Sequence, residues 1–286
     1  MKVNTLTLTS SSLPSVLRQI YPSIKQLHCA GTPLGEILTR PRVAIVGSRK
    51  ASLYGRSVTI DLATKLSRAG VVIVSGLAFG VDYYAHRAVI EASGCAVAVL
   101  PTPLTKISPV GHYHLAGDIL KNGGTLISEY QAGDVIHKGN FVIRNRIVSA
   151  LADVLVIPEA ARNSGSLHTA RFALEQGKTV MAVPGNINSP LSEGCNNMIK
   201  SGAIPVTDVS DIFFALKINP EAKPKTIVRG SLEQRQIFEL IAEGVNMQED
   251  LATASQLSVP EISSALTALE LRGYIRPMGG GAWTVT

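Results

Sequence analysis

The chain has 286 residues, 45% hydrophobic and 17% charged, and its 27 Lys and Arg against 21 Asp and Glu leave a net charge of +6. This length and balance describe a globular chain with room for one large domain and a small one, and exclude a disordered one. No apolar run reaches the ~18 residues a membrane helix needs, and Met1 to Leu17 lacks the basic-then-apolar layout of a signal peptide, so the expected location is cytoplasmic.

Residues 1–41 are set apart as an N-terminal extension. From Arg42 onward, short Val- and Ile-rich runs alternate with longer amphipathic segments, the pattern of repeated βα units. Strands are predicted at Arg42 to Gly47, Val71 to Ser75, Cys95 to Leu100, Thr125 to Glu129, Asp153 to Pro158, Thr179 to Pro184 and Ala203 to Val206. Helices are predicted over Tyr54 to Arg68, Val81 to Ala92, Tyr113 to Lys121, Phe141 to Leu151, Ser166 to Gln176 and Asn196 to Lys200. Near-continuous apolar strands require cover on both faces, so the fold class is α/β, a Rossmann-like, mainly parallel sheet with helices on both sides, over residues 42–218. A proline- and lysine-containing linker over 219–230 marks a boundary. Three helices (Leu232 to Glu243, Gln248 to Gln256, Pro260 to Arg272) and a hairpin turning at Gly279 to Gly281 then describe a small winged-helix domain at 231–286.

Charge is divided unevenly between these parts. From Ser231 on, three arginines face seven acidic residues, a balance of −4, which leaves the preceding part 24 − 14 = +10. A polyanion would therefore meet the larger, basic part. Cys29, Cys95 and Cys195 are far apart and form no CxxC pair, which suits small buried thiols and gives neither a zinc site nor a disulfide framework.

Open α/β sheets take ligands at the carboxyl ends of their strands, where helix N-termini present free N–H groups. Three predicted strand-to-helix turns carry small residues there. They are Gly47, Ser48, Arg49 and Lys50; Ser75 and Gly76, with Asp82 shortly after; and Asn163, Ser164, Gly165 and Ser166. Each alone is ordinary turn chemistry, and together they describe a rim that can line phosphates. Arg144, Asn145 and Arg146 sit within an otherwise apolar helical run, FVIRNRIVSAL. Two guanidinium groups there either pair with carboxylates and cap helix ends or hold an anionic ligand. Phe141 is either a core residue or a stacking platform, and Lys138 either a solvated loop charge or a phosphate contact.

Other chemistries lack their patterns. GxGxxG with its later acidic residue, the phosphate-binding GxxxxGK[ST] and the nucleophile elbow GxSxG are all missing, and the six histidines show no HExxH spacing. His112 and His114 could share a strand face toward a metal or be a solvated pair. Glu129 and Glu159 end two predicted strands, as an acid and base if adjacent and otherwise as caps or salt-bridge partners.

An ordered set of motifs carries a family resemblance over about Arg42 to Asp211: IVGSR, SGLAFGVD with AH, ISE, FVIRNRIVSAL, SGSLHTA, AVPG and GCNNMIKSGA. In this order they resemble the DNA-processing protein A family, DprA, also called Smf. The resemblance implies a Rossmann-like domain that binds single-stranded DNA, helps load the recombinase RecA in natural transformation and commonly dimerises. Phe79 stands where the family usually has arginine, Val142 where proline often follows the phenylalanine, and Pro158 intervenes before Glu159. The loop from Pro101 to His114 lacks the usual glycine and Tyr-Pro. The helical N-terminal module of many members is not expected, with only about 40 residues ahead of the first predicted strand.

The expected function is thus a DprA-like protein that binds and protects single strands without catalytic residues, metal or cofactor. Arg49, Lys138, Arg144 and Arg146 hold phosphates, the Gly/Ser turns supply backbone donors, and Phe141 stacks on a base. Two alternatives stand beside it. One is a Rossmann-like enzyme that binds or hydrolyses a small nucleotide through Glu129 or Glu159. The other is a regulator reading duplex DNA through the winged helix, although the turn opening at Pro260 offers Glu261 and serines but no Arg or Lys to a major groove.

Overall fold

The computed structural model describes residues 4–219, 230–242 and 244–285. The chain divides into two compact units, Met1–Ala222 and Lys223–Thr286. In chain order the first contains β1 (Leu6–Thr9), α1 (Ser15–Arg18), β2 (Gln26–Gly31), α2 (Leu34–Ile37), β3 (Arg42–Ile45), α3 (Leu53–Arg68), β4 (Val72–Ser75), α4 (Val81–Glu91) and β5 (Ala96–Leu100). It continues with a 3₁₀ turn at Val110–His112, α5 (Tyr113–Lys121), β6 (Thr125–Ser128), α6 (Lys138–Leu151), β7 (Val154–Ile157), α7 (Ser166–Glu175), β8 (Thr179–Ala182), α8 (Glu193–Lys200), β9 (Ile204–Pro205) and α9 (Val209–Leu216).

All nine strands join one sheet in the order β1-β2-β6-β5-β4-β3-β7-β8-β9. From β6 to β9 every neighbouring pair is parallel. The expected mainly parallel α/β fold is therefore the observed one. Successive strand residues serve opposite faces, as a period of two requires. Val43 and Ile45 pack on the layer of α3, α4, α5 and α9, while Ala44 and Val46 pack on the layer of α1, α6, α7 and α8.

Residues before Arg42, expected as an extension, are part of this sheet. β1 pairs antiparallel with β2, and β2 antiparallel with β6. Leu13, Leu17, Ile20, Ile24 and Leu27 are buried in the layer that holds α6. Burial of these five side chains, each worth roughly 1.5–3 kcal/mol, ties the segment to the domain. The short α9, also outside the predicted elements, is opened by a capping box between Asp208 and Asp211.

The expected linker at 219–230 lies, apart from its two end residues, outside the described residues. The second unit comprises α10 (Leu232–Ala242), α11 (Gln248–Ser255), α12 (Val259–Leu271) and an antiparallel hairpin of β10 (Ile275–Gly279) and β11 (Ala282–Val285). This is the winged helix expected, although Glu243, at the predicted end of the first helix, lies outside the described residues. Ile237, Phe238, Ile241, Leu251, Ile262, Leu266 and Leu269 form a core of its own. Glu261 accepts from the Ser258 amide and hydroxyl at 2.8 and 2.6 Å, closing the N-terminus of α12.

Candidate functional site

β3 is the strand at which the chain order reverses, with β4 on one side and β7 on the other. The turns leaving these three strands meet at their carboxyl ends, the place where open α/β sheets bind ligands. They are stitched together by backbone bonds. The Ser48 amide donates to the Glu159 carbonyl at 2.8 Å, and the Val81 amide donates to the Ser48 carbonyl at 3.1 Å. Glycine is required where the turns touch. A Cβ at Gly80, whose φ is +74°, would lie 2.1 Å from the Ser48 carbonyl oxygen.

Above the turns lies a cleft of about 580 Å³. The first turn contributes Gly47, Ser48, Arg49 and Lys50, and Gly76, Ala78 and Asp82 come from the second. Asn163, Ser164, Gly165 and Ser166 lead into α7, and Phe141, Arg144 and Asn145 come from α6. Arg49 and Lys50 are exposed, and among the described residues neither side chain has a carboxylate partner. The Arg49 guanidinium lies over the Phe141 ring, 5.7 Å from its centroid, so cation and aromatic face are presented together.

Arg144 forms the floor. Its position follows from helical spacing, because Asn140, Arg144, Val148 and Leu151 share the inward stripe of α6 and are all buried. Its guanidinium donates to the carbonyls of Gly76 and Val99. Gly76 leaves the space for it, since a Cβ there would approach Arg144 Nη2 to 2.5 Å. Asp82 sits against the same glycine and accepts from the amides of Gly76 and Ala78 at 3.0 and 3.3 Å. Burial raises the Asp82 carboxyl and the charge of Arg144 opposes that shift. Burial likewise lowers the Arg144 guanidinium to about 10, with Asp82 opposing. Arg144 therefore remains a cation at neutral pH, with its hydrogen bonds directed mainly into the fold.

Several predicted site residues lie outside the cleft lining or have their polar groups engaged by the fold. Arg146 is 2% exposed and its guanidinium holds both oxygens of Glu129 at 2.6 Å, while Nε donates to the Pro22 carbonyl at 2.8 Å. That pairing, not a phosphate, satisfies it, and Arg146 is not among the residues that line the cleft. Ser75 is fully buried and its hydroxyl donates to the Ile45 carbonyl at 2.6 Å, so it fastens β4 to β3. Gly76 lines the cleft, but its amide is engaged by Asp82. Ser48 likewise has its amide engaged by Glu159, and its hydroxyl accepts from the Lys50 amide at 3.1 Å. Lys138 is exposed in the first turn of α6, outside the cleft lining and one helical turn ahead of Phe141.

Both candidate acid–base glutamates have structural partners. Glu129 is held by Arg146, and the Glu159 carboxylate accepts from the Ser52 amide and hydroxyl where α3 begins. His112 is buried with Nδ1 against the Leu77 carbonyl at 2.8 Å, while His114 is exposed on α5. Among the cleft residues that escaped the sequence reading are Thr169 and Leu191. Thr169 lies one turn into α7 from Ser166, a spacing that a helix opening at Ser166 already implies, whereas Leu191 has no local signal.

Fold and cleft together define a class, a Rossmann-like protein with a cation- and aromatic-lined cleft at its topological switch point, joined to a winged helix. Family comparisons make it specific. Residues 4–217 match the family model for DNA recombination-mediator protein A, and residues 220–281 match the DprA winged helix domain. The chain belongs to the DprA/Smf family of DNA-processing proteins. It is 39% identical over 251 residues to protein Smf of Escherichia coli K12, covering 84% of this chain and 67% of that one. It is 36% identical over 212 residues to the DNA processing protein DprA of Bacillus subtilis 168, covering 74% of this chain and 70% of that one. The chain thus spans about two thirds of the length of such relatives.

Solved structures agree. DNA processing protein A of Helicobacter pylori, described for its single-stranded DNA binding mode, superposes with a TM-score of 0.68 at 32% identity over 76% of this chain and 97% of that one. DprA of Streptococcus pneumoniae gives a TM-score of 0.67 at 35% identity, covering 74% of each chain.

Proposed function

We propose that the cleft binds single-stranded DNA and that the protein acts by binding, protecting incoming strands and passing them to the RecA recombinase during natural transformation. The observation that carries this reading is the Arg49–Phe141 pair at the mouth of a cleft lined by Lys50, Asn163 and the opening of α7. A cation beside an aromatic face suits a strand whose bases splay free, because every base has a face to stack and every nucleotide brings a phosphate. Duplex DNA hides those faces. Lys138, one turn ahead of Phe141 on α6, extends the basic rim. Arg144 supports it from below by holding the turn that carries Gly76.

Delivery to RecA, homodimerisation, action in the cytoplasm and the absence of catalysis belong to the same proposal and rest on family membership. Structural engagement of Glu129 and Glu159 favours binding over nucleotide hydrolysis. The test is a titration with labelled single- and double-stranded oligonucleotides at two salt concentrations. Preference for the single strand is expected, with affinity falling as salt rises. Equal affinity for the two forms would overturn it.

A further inference from the structure

A second aromatic surface adjoins the cleft and is unused by the proposal above. Phe79 is 54% exposed, on the turn between β4 and α4. Left-handed backbone flanks it, with Leu77 at φ 57° and Gly80 at φ 74°. The Leu77 side chain is buried and Phe79 is turned outward. Behind it the rings are locked. His112 packs edge-on against Phe79 at 4.8 Å and lies tilted against Tyr83 at 4.9 Å, and its Nδ1 is fixed by the Leu77 carbonyl. Tyr84 meets Tyr83 edge-on at 5.4 Å and has the Arg56 guanidinium 5.2 Å from its own centroid.

An open groove of about 640 Å³ runs over this surface, and Arg49 and Lys50 line it as well as the cleft. A smaller recess bordered by Phe79, Arg49 and Phe141 joins the two. Aromatic faces, exposed cations without a carboxylate partner among the described residues, and continuity with the cleft thus lie along one path. We propose that Phe79 and Tyr83 form a second stacking platform, which holds nucleotides of a single strand adjacent to those in the cleft, with Arg49 and Lys50 bridging the phosphates between.

The chemistry favours this occupant over a protein segment. An exposed phenylalanine held edge-on by a buried histidine offers one flat face, which suits a base. The cations beside it suit a continuous polyanion, and their place on both grooves lets one strand keep its phosphates near them while passing from one groove to the other. Pre-set rings also lower the ordering cost of stacking.

The inference rests on strand binding by the cleft, so the test separates the two. Affinity is measured for a homopyrimidine strand of about 6 nucleotides, near the short end of common single-strand site sizes, and another of about 20, beyond their long end of about 16. Phe79→Ala is expected to weaken binding of the long strand about tenfold, the loss of one stacked base, and to leave the short strand unchanged. Arg49→Ala is expected to weaken both, and Phe79→Tyr to match the parent. In the long strand, a fluorescent base analogue moved stepwise should show two quenched tracts, the second lost in Phe79→Ala. Parent-like binding of the long strand by Phe79→Ala, an equal loss on both lengths, or a single quenched tract would overturn the platform while leaving the cleft reading intact. A parent that binds neither strand would overturn both.

Discussion

Replacing Arg146 with alanine tests whether this arginine serves the fold. Its guanidinium is 2% exposed, and the Glu129 carboxylate it grips is 14% exposed. Truncation leaves that carboxylate largely buried without its cation, and leaves the Pro22 carbonyl without the donor it has at 2.8 Å. Removing one partner of such a pair costs about 3–5 kcal/mol, far more than an exposed pair contributes. At about 2–4 °C per kcal/mol for a domain of this size, the unfolding midpoint should fall by about 6–20 °C. Thermal unfolding followed by circular dichroism measures the midpoint, and oligonucleotide titration below the transition measures binding. A lower midpoint with the parent's salt slope is expected. Replacing both partners, Arg146→Met with Glu129→Leu, should recover most of the loss, because no buried charge is then left alone. A midpoint within about 2 °C of the parent, combined with weakened binding, would refute the structural assignment and return Arg146 to the ligand.

Arg49→Ala should weaken single-strand binding and lessen the log–log salt slope by about 0.7, the share of one phosphate; an unchanged slope would show that its guanidinium contacts none. Phe141→Ala should cost about 1–3 kcal/mol of affinity if a base stacks on the ring, and parent-like affinity in the folded variant would return Phe141 to packing. A fragment spanning 1–230 should keep most of the affinity, since the part removed carries −4 and the part retained +10; a tenfold loss by the folded fragment would bring the winged helix into the site. His86 is fully buried, and among the described residues neither ring nitrogen finds a partner. Burial, with the neighbouring His112 and Arg144 charges, lowers its pKa to about 3. Its folded pKa lies below the unfolded value of about 6.5, so the unfolded chain protonates first and stability declines as pH falls between them, by about 1.4 kcal/mol per unit. Denaturant titrations near pH 7 and pH 5 should show a flatter dependence for His86→Phe, and an unchanged dependence would assign the acid loss to other groups.

The parallel strands were legible because both faces of each are covered. Val43 to Val46 and Val72 to Val74 are buried without interruption and read as continuous apolar runs. β1 and β2 carry no such signature. β1 is an edge strand whose four residues are exposed or partly so, and β2 interposes His28 between buried neighbours. β2 joins the sheet by antiparallel pairing with β6, nearly a hundred residues on, which no local pattern encodes, and β1 follows by pairing with β2. α9 was hidden differently, since Asp208 and Asp211 close its capping box where the usual signature pairs Ser or Thr with Glu or Gln.

In the cleft, the turns were legible and the use of their donors was not. Small residues after β3, β4 and ahead of α7 follow from where an open sheet binds ligands. Whether a given amide faces the ligand depends on contacts between turns, and Ser48 and Gly76 give theirs to Glu159 and Asp82. The arginines of α6 show the same limit. Spacing alone puts Arg144 on the stripe of Val148 and Leu151, so its inward direction could be read from the sequence. Arg146 required its partner, and Glu129 stands just past the end of β6, 17 residues away. A buried guanidinium acts on whatever satisfies its donors. For Arg146 that is a carboxylate of the fold, and for Arg144 it is mainly the carbonyls of the fold. The exposed guanidinium of Arg49, beside the ring of Phe141, keeps donors to offer at the cleft, as does the neighbouring Lys50.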